Sequence, residues 1–224
     1  MTTATTKPQK AYKGMAMEGI IATWYAGNTR SRMDEQRQLA ARINDLVPAG
    51  GSVLEVSPGP GYLSTALAKM GKVSVSALDI SKSFVEMVHK RAAEAGVEID
   101  ARQGDAANQP FADGTFDFVV NVAAFKNFTR PVEAIAEFCR VLKTGGTALI
   151  VDLRRDASKA DIDEEVRRMH LDAVNAWLTR LAFHQMLLKN AYTVAEMKSM
   201  AARTPFASCD IKTDTIGMEV WLKK

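Results

Sequence analysis

The chain has 224 residues, 47% of them hydrophobic and 25% charged, which is the balance of a globular protein that builds its core without a staple. The net charge of +3 comes from Lys and Arg spread along the chain, so the clustered basic face of a nucleic-acid binder is not expected. The two cysteines, Cys139 and Cys209, stand far apart with no metal spacing and read as buried thiols of a reduced, cytoplasmic chain.

Residues 1–14 are Thr-rich without an apolar stretch, so a flexible tail is expected there and not a secretory signal. No apolar run approaches the roughly 18 residues of a membrane span. Residues 15–48 have helical periodicity, with Leu39, Ile43, Leu46 and Val47 as an apolar stripe and a break expected near Gly27-Asn28. Strands are expected at 52–56, 73–78, 97–101, 116–120 and 147–151. Helices are expected between them: 62–70 ending at Gly71, a second opened by Ser81 and closed by Gly96, and 132–142 with Pro131 at its start. Continuous apolar strands alternating with helices predict a parallel sheet covered on both faces. Residues 156–190 break that rhythm and read as a helical insertion, a lid. A helix capped by Thr193 and two strands, 207–213 and 218–222, then close the sheet as an antiparallel hairpin. The expected fold is an α/β, Rossmann-like αβα sandwich with a mostly parallel seven-stranded sheet, in one domain over residues 15–224.

The chemistry starts at Ser52-Val53-Leu54-Glu55-Val56-Ser57-Pro58-Gly59-Pro60-Gly61, a buried strand running through a Gly and Pro turn into a helix. Glycines let a ligand approach the backbone, and the helix-terminal amides face the same spot beyond the strand end. Neither the dinucleotide signature nor the P-loop is present, since positions 57 and 64 are Ser and no Gly-Lys-Ser/Thr follows. Glu55 inside the strand repels a pyrophosphate and suits a ligand that carries an ammonium. Asp79 ends the second strand, where a carboxylate can accept from ribose hydroxyls, or simply cap the next helix. Gly104-Asp105-Ala106 follows the third strand; Asp105 can accept from an exocyclic amine and the Ala106 amide can reach a ring nitrogen, while a plain turn is the alternative.

Taken together with Pro110-Phe111-Ala112-Asp113-Gly114-Thr115-Phe116-Asp117 and Arg140-Val141-Leu142-Lys143-Thr144-Gly145-Gly146, this series resembles the class I S-adenosylmethionine-dependent methyltransferases. The resemblance covers about residues 52–152. It is similar to the small-molecule branch that includes the ubiquinone and menaquinone biosynthesis methyltransferases, whose Leu-Arg-Asn segment has a counterpart in Ala124-Phe125-Lys126-Asn127-Phe128. It implies S-adenosylmethionine as cofactor, with Glu55, Ser57, Gly59 and Gly61 at the methionine part, Asp79 at the ribose and Ile80 on the adenine. It further implies that Asp105 and Ala106 read the adenine edge and that Asn121 lies near the reactive methyl. The chain departs from the family at Ser57, where the first loop glycine stands, and in the prolines at 58 and 60, which stiffen the loop and remove amide donors. A metal is not expected.

Methyl transfer from a sulfonium needs chiefly orientation and exclusion of water, so the lack of a triad does not argue against an enzyme. Acceptor contacts are expected from Trp24 and Tyr25 and from the insertion, where His170, Trp177 and His184 recur every seven residues on one helical face; Arg180 lies on the same insertion. Tyr25, His170 and His184 are the candidate catalytic residues, each with ordinary packing as the alternative. His89 reads as solvated. Arg154-Arg155 can attract an anion or stand exposed at a helix start. The Met- and Leu-rich insertion suits an apolar or aromatic small-molecule acceptor, and equally a core face or a homodimer surface. A non-catalytic, cofactor-binding subunit is the competing function, and a nucleotide-dependent oxidoreductase a third.

Overall fold

A computed structural model of the protein describes residues 12–13, 17–29, 33–183 and 188–224. His184, Met186 and Leu187 lie outside them, as does the Trp24 side chain.

Seven strands form one sheet: β1 Ser52–Val56, β2 Ser74–Asp79, β3 Asp100–Gln103, β4 Phe116–Val122, β5 Leu142–Leu153, β6 Ser208–Thr213 and β7 Gly217–Lys223. Their order is β3-β2-β1-β4-β5-β7-β6. The first five run parallel, and β7 pairs antiparallel with both β5 and β6. This is the αβα sandwich expected from the sequence. The order reverses between β1 and β4, so the C-terminal ends of these two strands open onto the crevice where such sheets bind ligands.

Strand alternation fixes the two faces. Val53, Phe118 and Val120 turn toward α2 (Met33–Leu46), α3 (Tyr62–Lys69) and α4 (Lys82–Ala95), packing with Ile43, Leu63, Leu67 and Val88. Leu54, Val119 and Ile150 turn the other way, onto α5 (Pro131–Val141) and α8 (Val194–Ala201), with Ile135, Phe138 and Met197. Glu55 is two residues from Val53 and therefore faces α3, whose buried Ser64 stands opposite it in a mostly apolar layer.

Several boundaries differ from the sequence reading, each for a local reason. Pairing of β3 begins at Asp100, because Gly96 ends α4 in the left-handed conformation and the Val97 amide donates to Ala92 O, which draws the start of the apolar run into the helix cap. The helix α1 (Gly19–Thr29) runs through Gly27-Asn28, so Tyr25 sits within a helix and not in a break. The 156–190 region holds α6 (Lys159–Arg168) and α7 (Ala173–Ala182). His170 stands between them at φ 49°, and Asp172 caps α7 by accepting from Val174 N and Asn175 N. The helix is thus broken at His170, and His170 and Trp177 do not share one helical face. Tyr12 and Lys13, within the expected tail, are docked on the sheet rim: Tyr12 pairs antiparallel with Phe128.

Candidate functional site

The loop after β1 is held in a conformation that glycine would take more easily. Ser57 has φ 59°, and its amide donates to Leu78 O at 2.7 Å, which ties the loop to the neighbouring strand. So Ser57 adopts the left-handed backbone of the glycine it replaces. Gly61 has φ 78° at the N-cap of α3, and a Cβ there would lie 2.8 Å from Val88 Cγ2. That glycine is required both by its backbone angle and by the close passage of α4. Pro60 O accepts from Arg91 Nε at 2.9 Å, and the Arg91 guanidinium stacks over the Tyr62 ring, fixing the loop from behind.

Two buried carboxylates face this loop. Glu55 is 3% exposed, and Ser64 of α3 donates its hydroxyl to Glu55 Oε2. Asp79 is 5% exposed and accepts from Ser81 N at 2.9 Å and from Gly59 N at 3.2 Å. Ser81 itself caps α4 by accepting from Phe84 N, so Asp79 is not that helix's N-cap. No salt bridge of the described residues reaches either acid. Burial pushes the Glu55 carboxyl up to about 7, partly offset by the Ser64 hydrogen bonds, and pushes Asp79 up to about 6, offset by the amides of Ser81 and Gly59. Such a pair stands ready for a ligand that brings hydrogen-bond donors or a positive charge.

Asn121 ends the buried part of β4 and pairs in register with Val56. Its Nδ2 donates to Val56 O at 2.8 Å, while its fully buried Oδ1 has no partner within the protein. An orphan acceptor at a strand end is what an ammonium-bearing ligand would satisfy. Ile80 stays 42% exposed at the rim, unusual for isoleucine and suited to an aromatic ring lying on it.

Asp105 is more engaged than the sequence suggests. It accepts from Ala107 N at 2.9 Å and pairs with Arg130 Nη2 at 2.5 Å, so an exocyclic amine would share the carboxylate with these donors. Ala106 is half-buried beside it. Gly104 has no room for a side chain, since a Cβ would lie 2.8 Å from Leu78 Cδ1.

Of the three candidate catalytic residues, Tyr25 comes to the loop. A Cβ on Gly59 would lie 3.7 Å from Tyr25 Cε1, and the Tyr25 ring packs edge-on against Phe84. His170 is exposed and lines a cavity between α6 and α7 with Asp163, Val166, Arg167 and Arg180, none of which belongs to the strand ends. His184 is outside the described residues. Arg180 is paired with Asp163, Arg154 with Asp156 and Asp161, and Arg155 with Glu196, so these cations are already partnered. His89 is exposed on α4, as expected.

Three residues near the strand ends were given no role from the sequence. Lys126, just past β4, donates its Nζ to the buried Asp152 at the end of β5 at 2.8 Å and to Ala123 O at 2.7 Å. Its own amide also donates to Asp152, at 2.9 Å. Tyr12 lies within electrostatic reach of Tyr25, Asp79 and Asp152. An acid closing each of two strands, β2 and β5, was the available signal for Asp152; no periodicity marks Tyr12.

Comparison with known proteins fits this geometry. Residues 54–150 match the Methyltransferase domain family. Over 116 residues the chain is 36% identical to the ubiquinone/menaquinone biosynthesis C-methyltransferase UbiE of Roseobacter denitrificans, covering 50% of this chain and 46% of that one. The chain thus spans about half the length of such relatives. With the malonyl-[acyl-carrier protein] O-methyltransferase of Methylococcus capsulatus it shares 28% identity over 206 residues, 90% of this chain and 73% of that one. Among solved structures, a Methanococcus maripaludis protein superposes with TM-score 0.72 at 23% identity, over 98% of this chain and 96% of its own. A SAM-dependent methyltransferase from Aquifex aeolicus does so with TM-score 0.61 at 16% identity, over 85% and 97%. Residues 54–150 thus match a methyltransferase domain family, and the whole sheet has the fold of the solved S-adenosylmethionine-dependent methyltransferases.

Proposed function

We propose that this chain transfers the methyl group of S-adenosylmethionine to a small-molecule acceptor by in-line displacement. The observation that carries the reading is the pair of buried, cation-free carboxylates Glu55 and Asp79 facing a glycine cradle, with the orphan Oδ1 of Asn121 beside them. S-adenosylmethionine, when bound, supplies an electrophilic methyl on a sulfonium that departs as a neutral thioether. Glu55 and Asn121 would hold the methionine part with the backbone at Ser57, Gly59 and Gly61. Asp79 would accept from the ribose hydroxyls, Ile80 would lie on the adenine, and Asp105 and Ala106 would read its edge. The residues act by binding and orienting, with Tyr25 beside the loop at Gly59 helping to exclude water.

The exposed apolar side chains of the insertion, Met169 and Leu171 among them, support an apolar or aromatic acceptor. Exposed Val174, Trp177, Leu178 and Leu181 on α7 support pairing with a second copy of the chain, which light scattering reads directly. Two cysteines free of disulfides support a reducing, cytoplasmic setting. Among the described residues no helix is long and apolar enough to cross a membrane. Calorimetry with S-adenosylhomocysteine and with NAD tests the cofactor: the first should bind and the second should not, and NAD binding alone would replace this reading with an oxidoreductase.

A further inference from the structure

The end of the sheet opposite the proposed cofactor site holds a second cavity. It has a volume of about 620 Å³ and opens where β4 and β5 begin. Leu46, Val47 and Pro48, at and just past the end of α2, form one wall. Asp210, Trp221 and Lys223 of the β6–β7 hairpin form the other.

Strand register fixes what the hairpin presents. Trp221 lies opposite Leu149, whose side chain faces α2 and α3, so Glu219, Trp221 and Lys223 share that face with their β6 partners Lys212, Asp210 and Ser208. Arg42 of α2 reaches as far as Glu219, binding both its oxygens at 2.8 Å, and α2 ends at Leu46. Beyond it the hairpin face is open: Ser208, Asp210 and Lys212 are exposed, and Leu46 is 59% exposed. The Trp221 ring meets the Phe118 ring edge-on at 6.3 Å, and its Nε1 donates to Glu219 Oε2 at 3.1 Å. The β5 side is pinned as well, since Gly145 N donates to Lys224 O and Lys224 N to Gly146 O, each at 3.1 Å. A preformed cavity of this size with an aromatic and aliphatic lining and a few polar groups has the form of a small-molecule site.

Most charges around the cavity are already closed into pairs. Asp117 takes Lys143 Nζ at 2.7 Å together with the Ser52 amide and hydroxyl, and Glu219 is filled by Arg42 and Trp221. Lys212 lies 5.7 Å from the centroid of the Trp221 ring. Two groups stay open. Lys223 Nζ donates to the Thr147 hydroxyl at 3.0 Å and meets no acid among the described residues, and the Asp210 carboxylate has no partner among them. Asp210 and Lys223 are diagonal neighbours on one face of an antiparallel pair, about 7–8 Å apart at the backbone. Asp210 repels a simple anion and Lys223 a simple cation, whereas a head group with both signs fits between them.

We propose that this cavity binds a small aromatic zwitterion of the α-amino-acid class. Its carboxylate meets Lys223, its ammonium meets Asp210, and its ring lies against Trp221 with Leu46 and Pro48 around it. The site is separate from the strand-end crevice and does not rest on the methyltransferase reading.

The test uses three probes with one ring and different heads: L-phenylalanine, 3-phenylpropionate, which lacks the ammonium, and 2-phenylethylamine, which lacks the carboxylate. Each is titrated calorimetrically into the full-length protein with S-adenosylhomocysteine in excess, which occupies the strand-end crevice. L-phenylalanine should bind saturably in the millimolar range or tighter, and both analogues about tenfold more weakly, each having lost one charge-assisted contact. Lys223→Gln and Asp210→Asn should each weaken L-phenylalanine about tenfold. Both positions are exposed, and melting curves close to wild type show that the variants are folded. The proposal is overturned by any of three results: no saturable binding of L-phenylalanine, an analogue that binds as tightly as L-phenylalanine, or binding that either substitution leaves unchanged.

Discussion

The strand ends of β1, β2 and β4 differ from the α6–α7 insertion in what determines the position of their side chains. At the strand ends each residue is set by a register shared with two neighbours: Glu55 pairs with Ala77 and Val120, and Asn121 with Val56 and Ile150. A one-residue slip would turn the whole strand inside out, so the polar residues there are placed as rigidly as the core. The insertion has its own small cluster of Ile162, Val166, Phe183, Leu188 and Ile216, and leaves Val174 and Trp177 68% and 61% exposed. Side chains placed by a helix pair of this kind follow wherever the helix breaks. The contrast supports the proposed cofactor site at the strand ends, where side chains are rigidly placed, over one built on the insertion.

The largest effect expected is on the cradle. Gly61→Ala would bring a Cβ to 2.8 Å from Val88 Cγ2 at φ 78°. Strain and overpacking together should cost about 2–4 kcal/mol of stability, read as a lower denaturation midpoint at unchanged m. Wild-type stability in that variant would show that the loop is as adaptable as the insertion, and the contrast between the two regions would collapse.

Next in size is the proton linkage of the acids. Glu55 and Asp79 have folded-state pKa values of about 7 and about 6, above their ordinary values of 4.5 and 3.8. Between about pH 4 and 7 the folded state therefore holds more protons than the unfolded state, and these two groups lower the stability of the ligand-free protein as pH rises through that window. Glu55→Gln removes one of them, so its melting temperature should rise relative to wild type between pH 5 and pH 8, by several degrees for about 1 kcal/mol or more. A pH-independent difference would mean that Glu55 is ionised throughout. The same sign makes S-adenosylhomocysteine bind more tightly as pH rises from about 6 to 8, because its ammonium and hydroxyls favour the ionised acids.

A smaller effect sharpens the reading of the loop. Ser57→Gly relieves a left-handed serine and should be stabilising or neutral within about 1 kcal/mol, the strain relief being opposed by the added freedom of the unfolded chain. Loss of cofactor affinity in that variant would show that the serine side chain takes part in binding. The smallest effect is expected in the insertion: His170→Ala should leave S-adenosylhomocysteine affinity unchanged within about twofold.

The same contrast explains what could be read from the sequence. β1 and the Ser81-to-Gly96 helix were legible because apolar runs, a capping serine and a terminal glycine all point to the same boundaries. Asp79 was marked as a candidate by its strand end, whereas Asn121 came only from the family resemblance, since the expected strand stopped at residue 120. The helix break at His170 was missed because Asp172, a good N-cap, sits inside a continuous helical pattern, and the i, i+7 spacing took no account of it. Tyr12 was missed because its position depends on a single bridge to Phe128, more than a hundred residues away, which no local pattern encodes. The commitment of Asp105 to Arg130 is long-range for the same reason.

The central claim is that the crevice over β1, β2 and β4 is a cofactor site in which Asp79 holds the ribose. Calorimetric titration of S-adenosylhomocysteine into wild type and Asp79→Ala tests it most directly. The variant should bind about 1–3 kcal/mol more weakly, the loss of hydrogen bonds to a charged acceptor. Equal affinity of the two proteins would contradict the claim.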